Sequence, residues 1–117
     1  MRTLDGHDVI GFDDVLGRTP GGQWLARHAA SAQITVRVCD LLSGLASAVE
    51  GLGVIAAPAF LAAREPTLTP VHHNSIGGAD FFLVTHRELA LVPRVRAVID
   101  HLTPFIRERA SLFRIAT

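Results

Sequence analysis

Gly51-Leu52-Gly53-Val54-Ile55-Ala56 has the G-x-G-x-x-A spacing of a dinucleotide-binding loop. That loop works when the glycines leave a strand and open a helix, so that the helix amides face a pyrophosphate. Here a helical pattern precedes the glycines and a β-branched run follows. A tight turn is therefore the reading, and no cofactor is expected. His72-His73, with His86 and His101, come nearest to a set of metal ligands. Neighbouring residues on an extended chain point to opposite faces, and no acidic or thiolate partner stands at useful spacing. Solvated loop histidines are expected, and no metal.

Nucleophilic and acid–base chemistry find no better support. Ser43 and Ser47 fall within a helical pattern rather than on a G-x-S-x-G elbow. Cys39 closes a strand without an evident His partner and reads as a small buried hydrophobe. Asp13 and Asp14 are adjacent instead of spaced as an acid/base pair, which suits a strand-end cap. Arg87, Arg94, Arg96, Arg107, Arg109 and Arg114 make the last third basic, diluted by Glu88, Asp100 and Glu108. A solvated helix face accounts for them, and no direct nucleic-acid binding is expected. No enzyme is expected.

One stretch is physically productive. Asp40-Leu41-Leu42-Ser43 opens a helix at the end of a strand, where free backbone N–H groups and the positive dipole end make an anion site. In parallel sheets ligands bind beyond the carboxyl ends of the strands. Phe12 and Asp13, ending the first strand, would line the same crevice. Ordinary capping by Asp40 is the competing reading, and its charge would oppose an anionic ligand.

These residues need elements to hold them. Val9-Ile10-Gly11-Phe12 reads as a buried strand ending at Asp13-Asp14. Thr19-Pro20 supplies an N-cap and a first-turn proline, and Trp24, Leu25 and His28 continue a helix near 20–30. Gln33 to Val38 alternates, its β-branched residues turned inward, as a half-buried strand. Asp40 caps a helix whose apolar stripe is Leu42, Leu45, Ala46 and Val49, and Gly51 ends it as a left-handed residue. Val54–Ala57 is expected as a strand stopped by Pro58, with one helical turn over 59–64. Thr67 to Asp80 reads as a weak strand plus a surface loop, and Phe81–Val84 as a further strand. From Pro93, the residues Val95, Val98, Ile99, Leu102 and Ile106 mark a C-terminal helix that Pro104 should kink or split. Strands alternating with helices in short steps imply a parallel sheet covered on its faces.

The composition agrees with an ordinary folded domain. At 117 residues, 49% hydrophobic and 19% charged, the chain is long and apolar enough for a core and is not intrinsically disordered. Eleven basic residues, all Arg, balance eleven acidic ones, so no electrostatic footprint for nucleic acid appears. The single cysteine cannot form an internal disulfide, no signal-like stretch opens the chain, and the Val54–Leu61 run is too short to span a bilayer. A cytoplasmic, membrane-free protein is the reading.

Four stretches, in this order and spacing, resemble the C-terminal part of the effector-binding domain of LysR-type transcriptional regulators. They are Val9-Ile10-Gly11-Phe12-Asp13-Asp14, Gly21-Gly22-Gln23-Trp24-Leu25, Arg37-Val38 through Gly51-Leu52-Gly53-Val54-Ile55-Ala56-Ala57-Pro58, and Phe82-Leu83-Val84-Thr85-His86 followed by Arg94-Val95-Arg96-Ala97-Val98. The resemblance spans about residues 9–105. It implies an α/β fold of three layers with a mostly parallel sheet: one lobe of a type II periplasmic-binding-protein-like pair, plus a C-terminal helix. Residues 6–86 would be most of the second lobe, and residues 87–117 a helical segment that packs on the first. A small-molecule effector would be sensed between lobes in the full-length context, touching Phe12, Asp13, Asp40, Leu41, Leu42 and Ser43 on this wall.

The sequence also departs from the family pattern. Glu50 stands where the family usually has an apolar residue, and Pro104 interrupts a helix that is normally continuous. The winged helix-turn-helix and most of the first lobe have no counterpart in these residues, so the expectation is a regulator fragment that senses but does not touch DNA. Burying a Leu- or Ile-sized side chain stabilises by about 1.5–3 kcal/mol. The stripe Val95, Val98, Ile99, Leu102 and Ile106 is therefore expected to fold back on its own lobe or to pair with another chain, and a homo-oligomer is expected. The alternative reading is a stand-alone dimerisation or interaction module that pairs with a full-length regulator.

Overall fold

The computed structural model describes residues 4–71, 76–77 and 82–113. The chain divides into two compact units, Met1–Gly78 and Ala79–Ile115.

In the first unit, β1 (Asp8–Phe12) and β2 (Gln33–Val38) pair in parallel, joined through α1 (Pro20–His28). The opening of α1 follows from Thr19-Pro20. The Thr19 hydroxyl accepts from the Gly22 amide at 3.2 Å, and Pro20 takes the first-turn position where its missing N–H costs nothing. The buried face of α1 is Gly22 and Leu25, against β1.

On the other side of β1 the expected strand Val54–Ala57 reduces to a single parallel bridge at Val54. The Val54 amide donates to the Asp8 carbonyl and the Ile10 amide to the Val54 carbonyl, each at 2.9 Å. Pro58 follows too closely for a longer ladder, because it brings no donor and restrains the residue before it. The parallel sense is as expected. The described sheet has two strands and this bridge, with β1 central and β2 at an edge.

The register of β2 departs from strict alternation. Val9 pairs with Ile34, but Ile10 pairs with Val36, leaving Thr35 as an extra residue. A bulge of this kind reverses which side chains share a face. Ile34 consequently lies with Arg37 over Gly11, whereas Val36 and Val38 pair with Ile10 and Phe12. The inward alternation of Ile34, Val36 and Val38 is thereby corrected: Val38 is buried and Ile34 is 37% exposed.

After β2, α2 (Leu41–Val49) opens at Asp40. It closes as the glycine at 51 implies: Gly51 has φ +83°, its amide donates to Ala48 and the Leu52 amide donates to Ser47, each at 3.0 Å. The face that packs inward differs by one position from the expected stripe. Gly44, Leu45 and Ala48 are buried, while Leu42 is 70% exposed and Ala46 and Val49 are exposed. Gly44 centres this face. A Cβ there would come 2.5 Å from Ile55 Cδ1 and 3.2 Å from Val38 Cγ2, so both side chains would have to give way. The core joins Leu4, Val9, Ile10, Phe12, Leu25, Ala29, Val38, Ala48 and Ala56. A short α3 (Ala59–Ala62) supplies the turn expected after Pro58.

The second unit holds a 3-10 turn at Leu89–Leu91, then α4 (Pro93–Glu108) and α5 (Ala110–Phe113). Pro104 lies within α4 and does not split it. The helix gains local support from the Arg96–Asp100 ion pair at 2.7 Å and from the Arg109 guanidinium 3.6 Å above the Phe105 ring. No residue of α4 is buried; Val95, Ile99 and Leu102 are half-buried, and Val98 and Ile106 are exposed. Residues 82–84 are not a strand: Phe82 is 80% and Val84 82% exposed, and among the described residues nothing pairs with them. Phe81 and most of the 72–81 stretch lie outside the described residues.

Candidate functional site

The carboxyl ends of β1 and β2 meet at one rim. The Asp13 amide donates to the Val38 carbonyl at 3.1 Å, which sets Phe12 and Asp13 beside the chain that runs into Asp40. Asp13 then turns the backbone, its Oδ1 accepting from the Leu16 amide at 2.9 Å at the start of a 3-10 turn, Leu16–Arg18. This is the strand-end cap that its position suggests. Phe12 is 8% exposed and belongs to the core as much as to the rim.

At the start of α2 the two readings of Asp40 separate. Asp40 is the N-cap: Oδ1 accepts from the Ser43 amide at 2.8 Å and Oδ2 from the Ser43 hydroxyl at 2.7 Å. The Ser43 amide, the Ser43 hydroxyl and, more weakly, the Leu42 amide hold its carboxyl below the ordinary aspartate value. An ionised side chain of the protein thus occupies the position that an anion would take. Leu41 is half-buried, and Asp40, Leu42 and Ser43 are exposed, so the rim presents a carboxylate, an apolar side chain and a hydroxyl to solvent. That surface suits a polar ligand with donors better than a simple anion.

A second feature escaped the sequence reading. A cavity of about 310 Å³ opens between α1 and the Gly11 face of the sheet, with Arg37 among its lining residues. The bulge at Thr35 puts Arg37 there. Gly11 lets it lie flat, since a Cβ at Gly11 would sit 2.9 Å from Ile34 Cγ2 and 3.4 Å from Arg37 Cγ and Nη1. The available signal was Gly11 itself, because a glycine inside an apolar strand marks a bulge or a close approach.

Gly53 serves the turn: a Cβ there would lie 2.8 Å from the Asp8 carbonyl oxygen. Cys39 is exposed, a correction to its expected burial, because it follows the last paired residue of β2 and precedes the cap. His72, His73 and Arg114 lie outside the described residues. His101, on α4, stacks on Phe105 with ring centroids 6.0 Å apart. Among the described residues no three His, Cys, Asp or Glu side chains come together as a metal site. None of the described helices is long and apolar enough to cross a membrane.

The family model described as the LysR substrate binding domain matches residues 1–106. No curated protein and no solved structure matches the chain.

Proposed function

The chain belongs to the LysR substrate-binding-domain family, and from that premise we propose that it is the effector-sensing part of a LysR-type transcriptional regulator, acting in the cytoplasm without chemistry of its own. Residues 6–86 serve as the second lobe of a three-layer, mostly parallel periplasmic-binding-protein-like fold. Residues 87–117 form a helical segment that packs on the first lobe or on a second chain. Effector is contacted on this wall by Phe12, Asp13, Asp40, Leu41, Leu42 and Ser43, and DNA is contacted elsewhere in the regulator.

The observation that supports the site is the bond from the Asp13 amide to the Val38 carbonyl, which gathers both strand ends and the start of α2 at one rim. The ionised cap at Asp40 favours a small polar effector that donates hydrogen bonds to it. A single wall supplies few of the contacts that a cleft needs, so strong binding requires both lobes.

Calorimetry against a metabolite panel tests this. A regulator carrying both lobes should bind its effector, and Ser43→Ala should weaken that binding, while the 117-residue chain shows no tight binding. Tight binding by the 117-residue chain alone overturns the half-cleft reading. For the α4 stripe, sedimentation should show self-association, lost in Val98→Asp with Ile106→Asp; a strict monomer with rapid hydrogen exchange along the stripe overturns it.

A further inference from the structure

We propose that the cavity between α1 and the Gly11 face of the sheet is a second ligand site, which takes a small monocarboxylate with an apolar body. This goes beyond the effector rim and does not rest on it. Three observations combine. The cavity, about 310 Å³, is of the size that small ligands occupy, and Val9, Leu25, Ala29 and Ile34 give it apolar walls. Arg37 is its cation, and among the described residues no carboxylate lies within ion-pair distance of it. Its Nη1 reaches the Phe12 carbonyl only at 3.4 Å, and the rest of the exposed guanidinium fork stands at the open mouth of the groove, in reach of water or of a ligand.

The backbone supports that use of Arg37. Without the extra residue at Thr35, Arg37 and Ile34 would point to opposite faces of β2; the bulge unites a cation and an apolar wall on one side. A carboxylate can meet a guanidinium in a two-pronged, charge-assisted arrangement that a neutral amide cannot reproduce. The hydrocarbon body then leaves water against the α1 side chains.

The test is an amide-resolved NMR titration of the 117-residue chain with hexanoate, beside its neutral counterpart hexanamide. Saturable shifts are expected at Gly11, Gly22, Ala26 and Ala29 with hexanoate. Hexanamide should bind roughly tenfold or more weakly. Arg37→Gln should weaken hexanoate by a similar factor and leave hexanamide unchanged. Ala26→Phe, at an exposed lining position, should block both ligands while the spectrum elsewhere is preserved. The proposal is overturned by absence of saturable shifts, by equal binding of acid and amide, or by an Arg37→Gln variant that binds hexanoate as the parent does. Shifts centred on Asp40–Ser43 also overturn it and assign the acid to the rim. The rim reading is tested separately by Ser43→Ala in a two-lobed regulator, so either can fail alone.

Discussion

The Thr35 hydroxyl donates to the Leu52 carbonyl at 2.8 Å, tying the extra residue of β2 to the chain that leaves α2. The same oxygen lies 3.4 Å from the Val9 carbonyl. One side chain therefore pins the bulge, the glycine turn and the central strand. Thr35→Val keeps the branched shape and removes the donor. It should lower stability by about 1 kcal/mol in urea unfolding, whereas Thr35→Ser, which keeps the hydroxyl, should stay close to the parent.

Asp40 gives the first unit an acid-sensitive component. Its carboxyl is held below the ordinary value by the Ser43 amide and hydroxyl, so the unfolded chain takes up the proton first. The contribution is therefore complete above about pH 4 and is lost as pH falls through the folded value. Asp40→Ala should remove this part of the pH dependence and lower the urea midpoint at neutral pH. Asp40→Asn should keep the cap but lose the acid dependence. Urea midpoints measured from neutral pH downward separate the two.

Gly53 and Gly51 sit two residues apart and should respond differently. A Cβ at Gly53 meets backbone, 2.8 Å from the Asp8 oxygen and 3.1 Å from the Val9 nitrogen, so Val54 and β1 must move apart. Gly53→Ala should cost about 1–3 kcal/mol and accelerate hydrogen exchange at the Ile10 and Val54 amides. At Gly51 the space is open and only the φ of +83° is at issue. Gly51→Ala should cost about 1 kcal/mol and leave those amides protected.

The inward face of α2 can be read by a pair of truncations. Leu45 is 5% exposed and Leu42 is 70% exposed. Leu45→Ala should cost about 2–5 kcal/mol, and Leu42→Ala should fall within about 0.5 kcal/mol of the parent. Equal costs would return the stripe to the position that periodicity alone suggests.

Pro104 deprives α4 of one backbone donor within an unbroken helix. Pro104→Ala restores an amide able to reach the Asp100 carbonyl. It should raise helix stability by up to about 3 kcal/mol, seen as slower amide exchange through the middle of α4.

Local chemistry was legible in the sequence. Thr19-Pro20, Asp40 with Ser43, and Gly51 are signals whose outcome depends on a few neighbouring bonds, and each places an element boundary that the structure keeps. The parallel pairing of β1 with β2 also followed from the order of the elements. What tertiary structure alone decided was which way side chains face. The bulge at Thr35 moved Ile34 and Arg37 to one side, and α2 turns Gly44, Leu45 and Ala48 inward, one position from the stripe that periodicity suggests. Tertiary pairing also decided that, among the described residues, 82–84 join no sheet. The physical reason is the range of the interaction. A cap or a turn is satisfied within a few residues, whereas a face is set by contacts between segments far apart in the chain, where one inserted residue reverses every later side chain in a strand.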